Sequence, residues 1–138
     1  MAKLGDFVPV AQKTGEIVAQ LFKGEGIAKV IVKACGKIAD ADPTVLGTAA
    51  LAGVVSFGSE IPANIINAAY LAEQRGIEVE TSTDPLSDVY PSFIEVTATA
   101  GDKQVRVCAA LALGHDMPRI IEIDGYPVDF VPMDDFIV

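Results

Sequence analysis

The chain has 138 residues, 51% hydrophobic and 21% charged, with 10 Lys+Arg against 19 Asp+Glu, one His, two Cys and no Trp. That is the size and composition of one globular domain, and no apolar run reaches the roughly 18 residues that a bilayer helix needs. The net charge of −9 argues against binding to nucleic acid or to an acidic membrane, and two cysteines with one histidine are too few for a disulfide framework or a zinc site. With no signal-peptide pattern at the N-terminus, the expectation is a soluble chain of a reducing, cytoplasmic compartment.

The charge is polarised along the chain. Residues 1–37 hold six lysines against Asp6, Glu16 and Glu25, a sum of +3, and the remaining residues hold four cations against sixteen acids, a sum of −12. Such a pattern solvates a surface, or it lets the N-terminal part dock against something acidic.

Residues 7–22 place Phe7, Val10, Thr14, Ile17, Val18 and Leu21 at helical spacing, with Asp6 in position to cap the start and Gly24 to end it. Residues 27–35 read as a strand with Val30 and Val32 on one face and Lys29, Ile31 and Lys33 on the other. A one-sided lysine face protects a sheet edge as often as it binds a ligand. Asp42-Pro43 is a cap followed by proline in the first turn, and the helix it opens has no charge from Thr44 to Ser59. That helix should be buried on most sides, with Gly47, Ala50 and Gly53 admitting another element closely. Pro62 opens a third helix that ends at Arg75-Gly76.

From Ile77 the period falls from 3.6 to 2, through IEVETST, SFIEVTATA, KQVRVCAAL, RIIEI and YPVDFV. Gly101-Asp102 and Asp124-Gly125 sit where tight hairpin turns belong, and residues 84–91 form the one sizeable loop. The expected fold is α+β: an N-terminal helix and strand, two consecutive helices, then an antiparallel β-meander of about five strands. The apolar second helix and the meander predict self-association. Met133 to Val138 ends on apolar residues and reads as the opening of a further strand, so the chain is expected to be cut from something longer.

No constellation of residues announces catalysis. Gly24-Glu25-Gly26 lacks a third glycine at the right offset and follows a helix, so it is no dinucleotide fingerprint, and no Walker-type loop occurs. Cys35 and Cys108 fall within strands and read as small core residues. His115, the one imidazole, lies in a turn beside Asp116; Ser56 and Ser59 have no base near them in sequence; Asp134-Asp135 and Glu78/Glu80 read as solvated acids. The catalytic, cofactor and metal roles are therefore left empty. Binding remains, and in so acidic a stretch the few cations stand out. Arg119 begins the strand leading to Asp124-Gly125, and Lys103 and Arg106 lie on the strand before it, so these three are the candidates for an anionic or effector ligand.

Three segments carry a family likeness. Ile66-Asn67-Ala68-Ala69 with Ala72-Glu73-Gln74-Arg75-Gly76, the run from Arg119 to Tyr126 with Val128-Asp129-Phe130, and the opening stretch Phe7-Val8-Pro9 through Gly15 and Val18 resemble, in matching order, the intervening (allosteric substrate-binding) domain of D-3-phosphoglycerate dehydrogenases. The resemblance implies that residues 1–138 are one such domain, between an N-terminal NAD-binding catalytic part and a C-terminal ACT domain. It implies a parent oxidoreductase that takes 3-phospho-D-glycerate to 3-phosphohydroxypyruvate, the first step of L-serine biosynthesis. It also implies a regulatory, oligomerising role, with the catalytic and ACT domains and further copies of the chain as partners, and a small phosphorylated or carboxylate ligand. Arg119 matches one basic position of the family's anion pocket, whereas Tyr126 and Val131 stand at two others and carry no charge. Two alternatives stay open: the equivalent domain of an iron–sulfur L-serine dehydratase, whose cluster two cysteines cannot ligate, and a free-standing small acidic assembly protein.

Overall fold

A computed structural model describes residues 7–22, 27–36, 38, 42–56, 67–85, 92–111, 118–124 and 126–130, with backbone alone at 92, 111, 118, 119 and 126–130. Asp6, Gly24, Ser59, Pro62, His115, Asp116, Gly125, Val131 and the 133–138 segment lie outside the described residues. Among the described residues, three helices and six strands follow in the order α1 (Val8–Leu21), β1 (Lys29–Gly36), α2 (Thr44–Ser56), α3 (Ala68–Arg75), β2 (Glu78–Asp84), β3 (Ser92–Ala100), β4 (Lys103–Leu111), β5 (Pro118–Ile123) and β6 (Tyr126–Phe130). This is the expected α+β order.

Each element has a local cause. In α1 the residues predicted to face inward are buried except Leu21, which is partly so; Pro9 sits in the first turn, and Phe7 holds the N-cap position with no side-chain cap. Thr14 is buried on that apolar face because its hydroxyl donates to the Val10 carbonyl at 2.7 Å. The α2 cap is as read: the Asp42 carboxylate accepts from the Thr44 N–H at 3.0 Å and from its hydroxyl at 2.6 Å. These two bonds hold the Asp42 carboxyl below its ordinary pKa. α3 ends in a Schellman pair, with the Gly76 N–H donating to the Glu73 carbonyl at 3.1 Å and the Ile77 N–H to that of Ala72 at 2.9 Å. Gly76 takes φ +72° there, which explains the glycine.

The sheet order is β2-β1-β3-β4-β5-β6, with β2 parallel to β1 and every other pair antiparallel. The meander proper thus runs from β3 to β6. β2 lies on the far side of β1, because α2 and α3 carry the chain back to the starting end, as a parallel pair requires. β1 is consequently internal, and Lys29 and Lys33 guard no edge.

All three helices lie to one side of the sheet: α1 packs on β3 and β4, α2 on β1 and β2, and α3 on α2. The core lies between these layers, filled from the sheet by Val30, Val32, Ile94, Val96, Val107 and Ile120, each fully buried. Each such side chain is worth about 1.5–3 kcal/mol. The close approach read from Ala50 and Gly53 is made by α1. A Cβ on Gly53 would fall on the Gln12 carbonyl oxygen, and one on Gly15 would fall on that of Ala50. Gly47 is needed against β2, where a Cβ would come 2.5 Å from Thr81 Cγ2.

Gly53→Ala should therefore force the helices apart and destabilise the fold by at least about 1–3 kcal/mol in urea unfolding. At Gly76 a Cβ would meet nothing within 4 Å, so Gly76→Ala should cost only the backbone term of about 1 kcal/mol. An equal loss for the two variants would show that the helix contact is not tight.

Candidate functional site

The face of the sheet turned away from the helices carries the polar chemistry, and strand register decides which groups meet there. The hairpin through Gly101 (φ +61°) and Asp102 pairs Ala100 with Lys103. Counting along the ladder from that turn sets Arg106 opposite Thr97 and Cys108 opposite Glu95. On the other side of β4, Cys108 faces Glu122. Three strands thus bring Glu95, Arg106, Cys108 and Glu122 together.

Arg106 is the centre of this group. Its Nη2 lies 2.8 Å from Glu122 Oε2 and its Nη1 3.7 Å from Glu95 Oε1. The Cys108 thiol points at the same Glu122 oxygen, 3.7 Å away. The backbone of Arg106 is held as well: its N–H donates to Asp124 Oδ1 at 2.8 Å, and its carbonyl accepts from the Asp124 N–H at 2.7 Å. Asp124 stands at φ +53°, a left-handed position that Asp tolerates better than most residues. The Asp-Gly signal at the β5–β6 turn therefore also marks a clasp onto β4, which the sequence reading missed. A β-bulge at Ile121 lets the β4–β5 ladder accommodate it.

The other two candidate cations lie elsewhere. Lys103 Nζ sits 4.8 Å from the centroid of the buried Phe22 ring, where α1 ends, a cation–π contact worth about 0.5–1 kcal/mol. Nothing local in the sequence joins position 22 to position 103. Arg119 lies in β5 opposite Ala110, and its side chain lies outside the described atoms. The structure thus brings Arg106 to two carboxylates and Lys103 to an aromatic ring. Lys29 in turn pairs with Glu80 of β2 at 3.1 Å.

Both thiols are buried. Burial, with the Glu95 carboxylate adding to it, pushes Cys35 up to about 11. Burial followed by Glu95 and Glu122 pushes Cys108 up to about 12. Neither is a thiolate near neutrality, so neither is an activated nucleophile. Among the described residues no three His, Cys, Asp or Glu side chains gather where a metal ion could be held. No described helix is long and apolar enough to cross a membrane.

β1 runs on toward α2, the order that dinucleotide sites use, but residues 36–43 contain a single glycine. The Asp42 carboxylate accepts from the Thr44 N–H at the start of α2, a donor that an anion bound at that helix end would otherwise use.

Comparison with known proteins places this geometry in context. The sequence model of the D-3-phosphoglycerate dehydrogenase intervening domain matches residues 3–124. The D-3-phosphoglycerate dehydrogenase of Bacillus subtilis (strain 168) is 30% identical over 95% of this chain and 25% of its own length. Those of Methanocaldococcus jannaschii and Archaeoglobus fulgidus are 30% and 33% identical, each over 96% of this chain and 24% of their own lengths. The chain spans about a quarter of the length of these curated relatives.

The raised thiols have a measurable consequence. A chain that unfolds near pH 9.0, the ordinary thiol pKa, releases protons that the folded chain keeps until about 11–12. Stability from this source is complete below pH 9 and is lost as pH rises through the folded values. Thiolate absorbance should accordingly appear near pH 9 in urea and only above about pH 11 in the native chain. A native thiol titrating below 9 would contradict the burial described.

Proposed function

The chain belongs to the D-3-phosphoglycerate dehydrogenase intervening domain family, and from that membership we propose that it is the non-catalytic regulatory and assembly domain of a longer enzyme. That enzyme oxidises 3-phospho-D-glycerate with NAD, the first step of L-serine biosynthesis, in the cytoplasm. The observation that carries the reading is the family match over residues 3–124, joined by relatives named D-3-phosphoglycerate dehydrogenase that align with nearly the whole chain. The catalytic chemistry and the NAD site belong to the N-terminal part of that enzyme, a serine-responsive ACT domain follows, and the chain contributes to a homo-oligomer. This division of labour suits a domain whose thiols are insulated and whose α2 N-terminus is occupied by its own Asp42.

In the protein encoded by the full reading frame, 3-phospho-D-glycerate should drive formation of NADH. Removal of the present segment should leave turnover measurable while changing the subunit number seen by light scattering and abolishing the response to L-serine. A full-length protein without this activity sinks the enzymatic reading. One that keeps both its assembly and its serine response after the deletion sinks the regulatory one.

The ligand of the domain is a small phosphorylated or carboxylate anion, with Arg119, Lys103 and Arg106 as its candidate contacts, of which Arg106 also serves two carboxylates and Lys103 a ring. Saturating inorganic phosphate should raise the Tm of the chain by about 4 °C or more, and Arg119→Ala should remove the shift. A shift that survives the substitution takes Arg119 out of the site.

A further inference from the structure

The sheet's two edges differ. β6 carries Pro127, which has no N–H to offer a neighbour, and its ladder with β5 is broken by a register shift, both common protections against an added strand. β2 has neither protection. Its seven residues keep an unbroken register with β1 and contain no proline. No described strand pairs with its outer side. Glu78, Val79, Glu80 and Thr83 are exposed, Val79 to 42%.

Register assigns these residues to faces. Glu78 and Glu80 stand opposite Lys29 and Ile31, on the side away from the helices, and Val79 stands opposite the buried Val30, on the helix side. The edge is therefore acidic above, with Glu78 and Glu80, and β-branched below, with Val79, Thr81 and Thr83. We propose that the outer edge of β2 is a docking edge for an extended basic segment of another polypeptide, which adds to the sheet as a further strand.

Charge selects the occupant. A second copy of β2 would bring Glu78, Glu80 and Asp84 alongside the same three acids with no cation between them, which is unfavourable for cross-strand neighbours. A segment with Lys or Arg at alternate positions reverses the sign of those contacts, and an apolar or β-branched residue between them covers Val79. The inner side of β2 already shows the interaction required: Lys29, one strand away, reaches Glu80 at 3.1 Å. Main-chain hydrogen bonds of the added strand supply affinity, and the alternating side chains supply the choice of partner. This inference does not depend on the enzyme to which the domain belongs.

The test uses the folded chain and three labelled peptides read by fluorescence anisotropy: one alternating Lys with Val and Thr, one with Glu in place of Lys, and one of the first composition in scrambled order. The alternating basic peptide should bind about tenfold more tightly than either of the others, the size of two or three cross-strand pairs changing sign. Its binding should slow hydrogen exchange in β2 and not in β6. Glu78→Lys with Glu80→Lys should transfer the preference to the acidic peptide, with an unchanged far-UV spectrum as the check on folding. Equal binding of the scrambled peptide, unchanged exchange in β2, or a peptide-free dimer with β2 already protected would each overturn the proposal. The exchange measurement on the unsubstituted chain decides the matter even where the double variant fails to fold.

Discussion

Gly15 and Gly53 let the backbones of α1 and α2 touch, and the width of the whole domain follows from that contact. Two helices separated by ordinary side chains lie 8–10 Å apart or more. With the side chains absent at the crossing, α1 can cover β3 and β4 while α2 covers β1 and β2, so four strands are roofed by two short helices. Alanines line both the helices and the sheet around this contact. Ala34, Ala49, Ala50, Ala52, Ala98 and Ala109 are all fully buried, and larger side chains would lift the helices and lose the contact. The placement of α3 is a further consequence. With α2 already seated on the sheet, α3 packs on α2, and its Schellman turn delivers the chain directly into β2.

Charge on the opposite face is organised by the same register. Arg106 ties β3, β4 and β5 through its side chain and the β5–β6 turn through its backbone. Each of these side-chain pairs is partly exposed, so each contributes only about 0.2–1 kcal/mol. Their value is positional. They fix how the bulged β5 lies against β4, where a one-residue slip would send Ile120 out of the core and Glu122 into it. Cys108 shares the Glu122 oxygen as a thiol, and burial, with the carboxylates around it, keeps it one.

The elements that announced themselves in the sequence are those whose causes are local. The periodicity of α1, the alternation of β1, the Asp42 cap, the Arg75-Gly76 stop and the Gly101-Asp102 turn each act within a few residues, and each stands where it was read. The position of β2 was not legible, because its β-period says that it is a strand and nothing about which strand it joins. That is settled by the α2–α3 crossover. The site divides in the same way. The nearness of Glu95 to Arg106 was within reach by counting outward from the hairpin at Gly101. The Glu122 contact was not, since six residues separate β4 from β5 and a bulge shifts their register. The Phe22–Lys103 contact depends on where α1 ends above β4, a tertiary fact without a local signal.

The excess of acid over base also takes on a definite meaning in the fold. In a chain of net charge −9 an anion can be held only where cations are not already matched, and the described cations of the open face are largely matched: Lys29 by Glu80, and Arg106 by Glu95 and Glu122. Any further cation that approaches, by contrast, meets acids along β2, where Glu78 and the Lys29-paired Glu80 flank an exposed valine on an edge that no described strand covers. The described surface is therefore biased toward basic partners and against small anions.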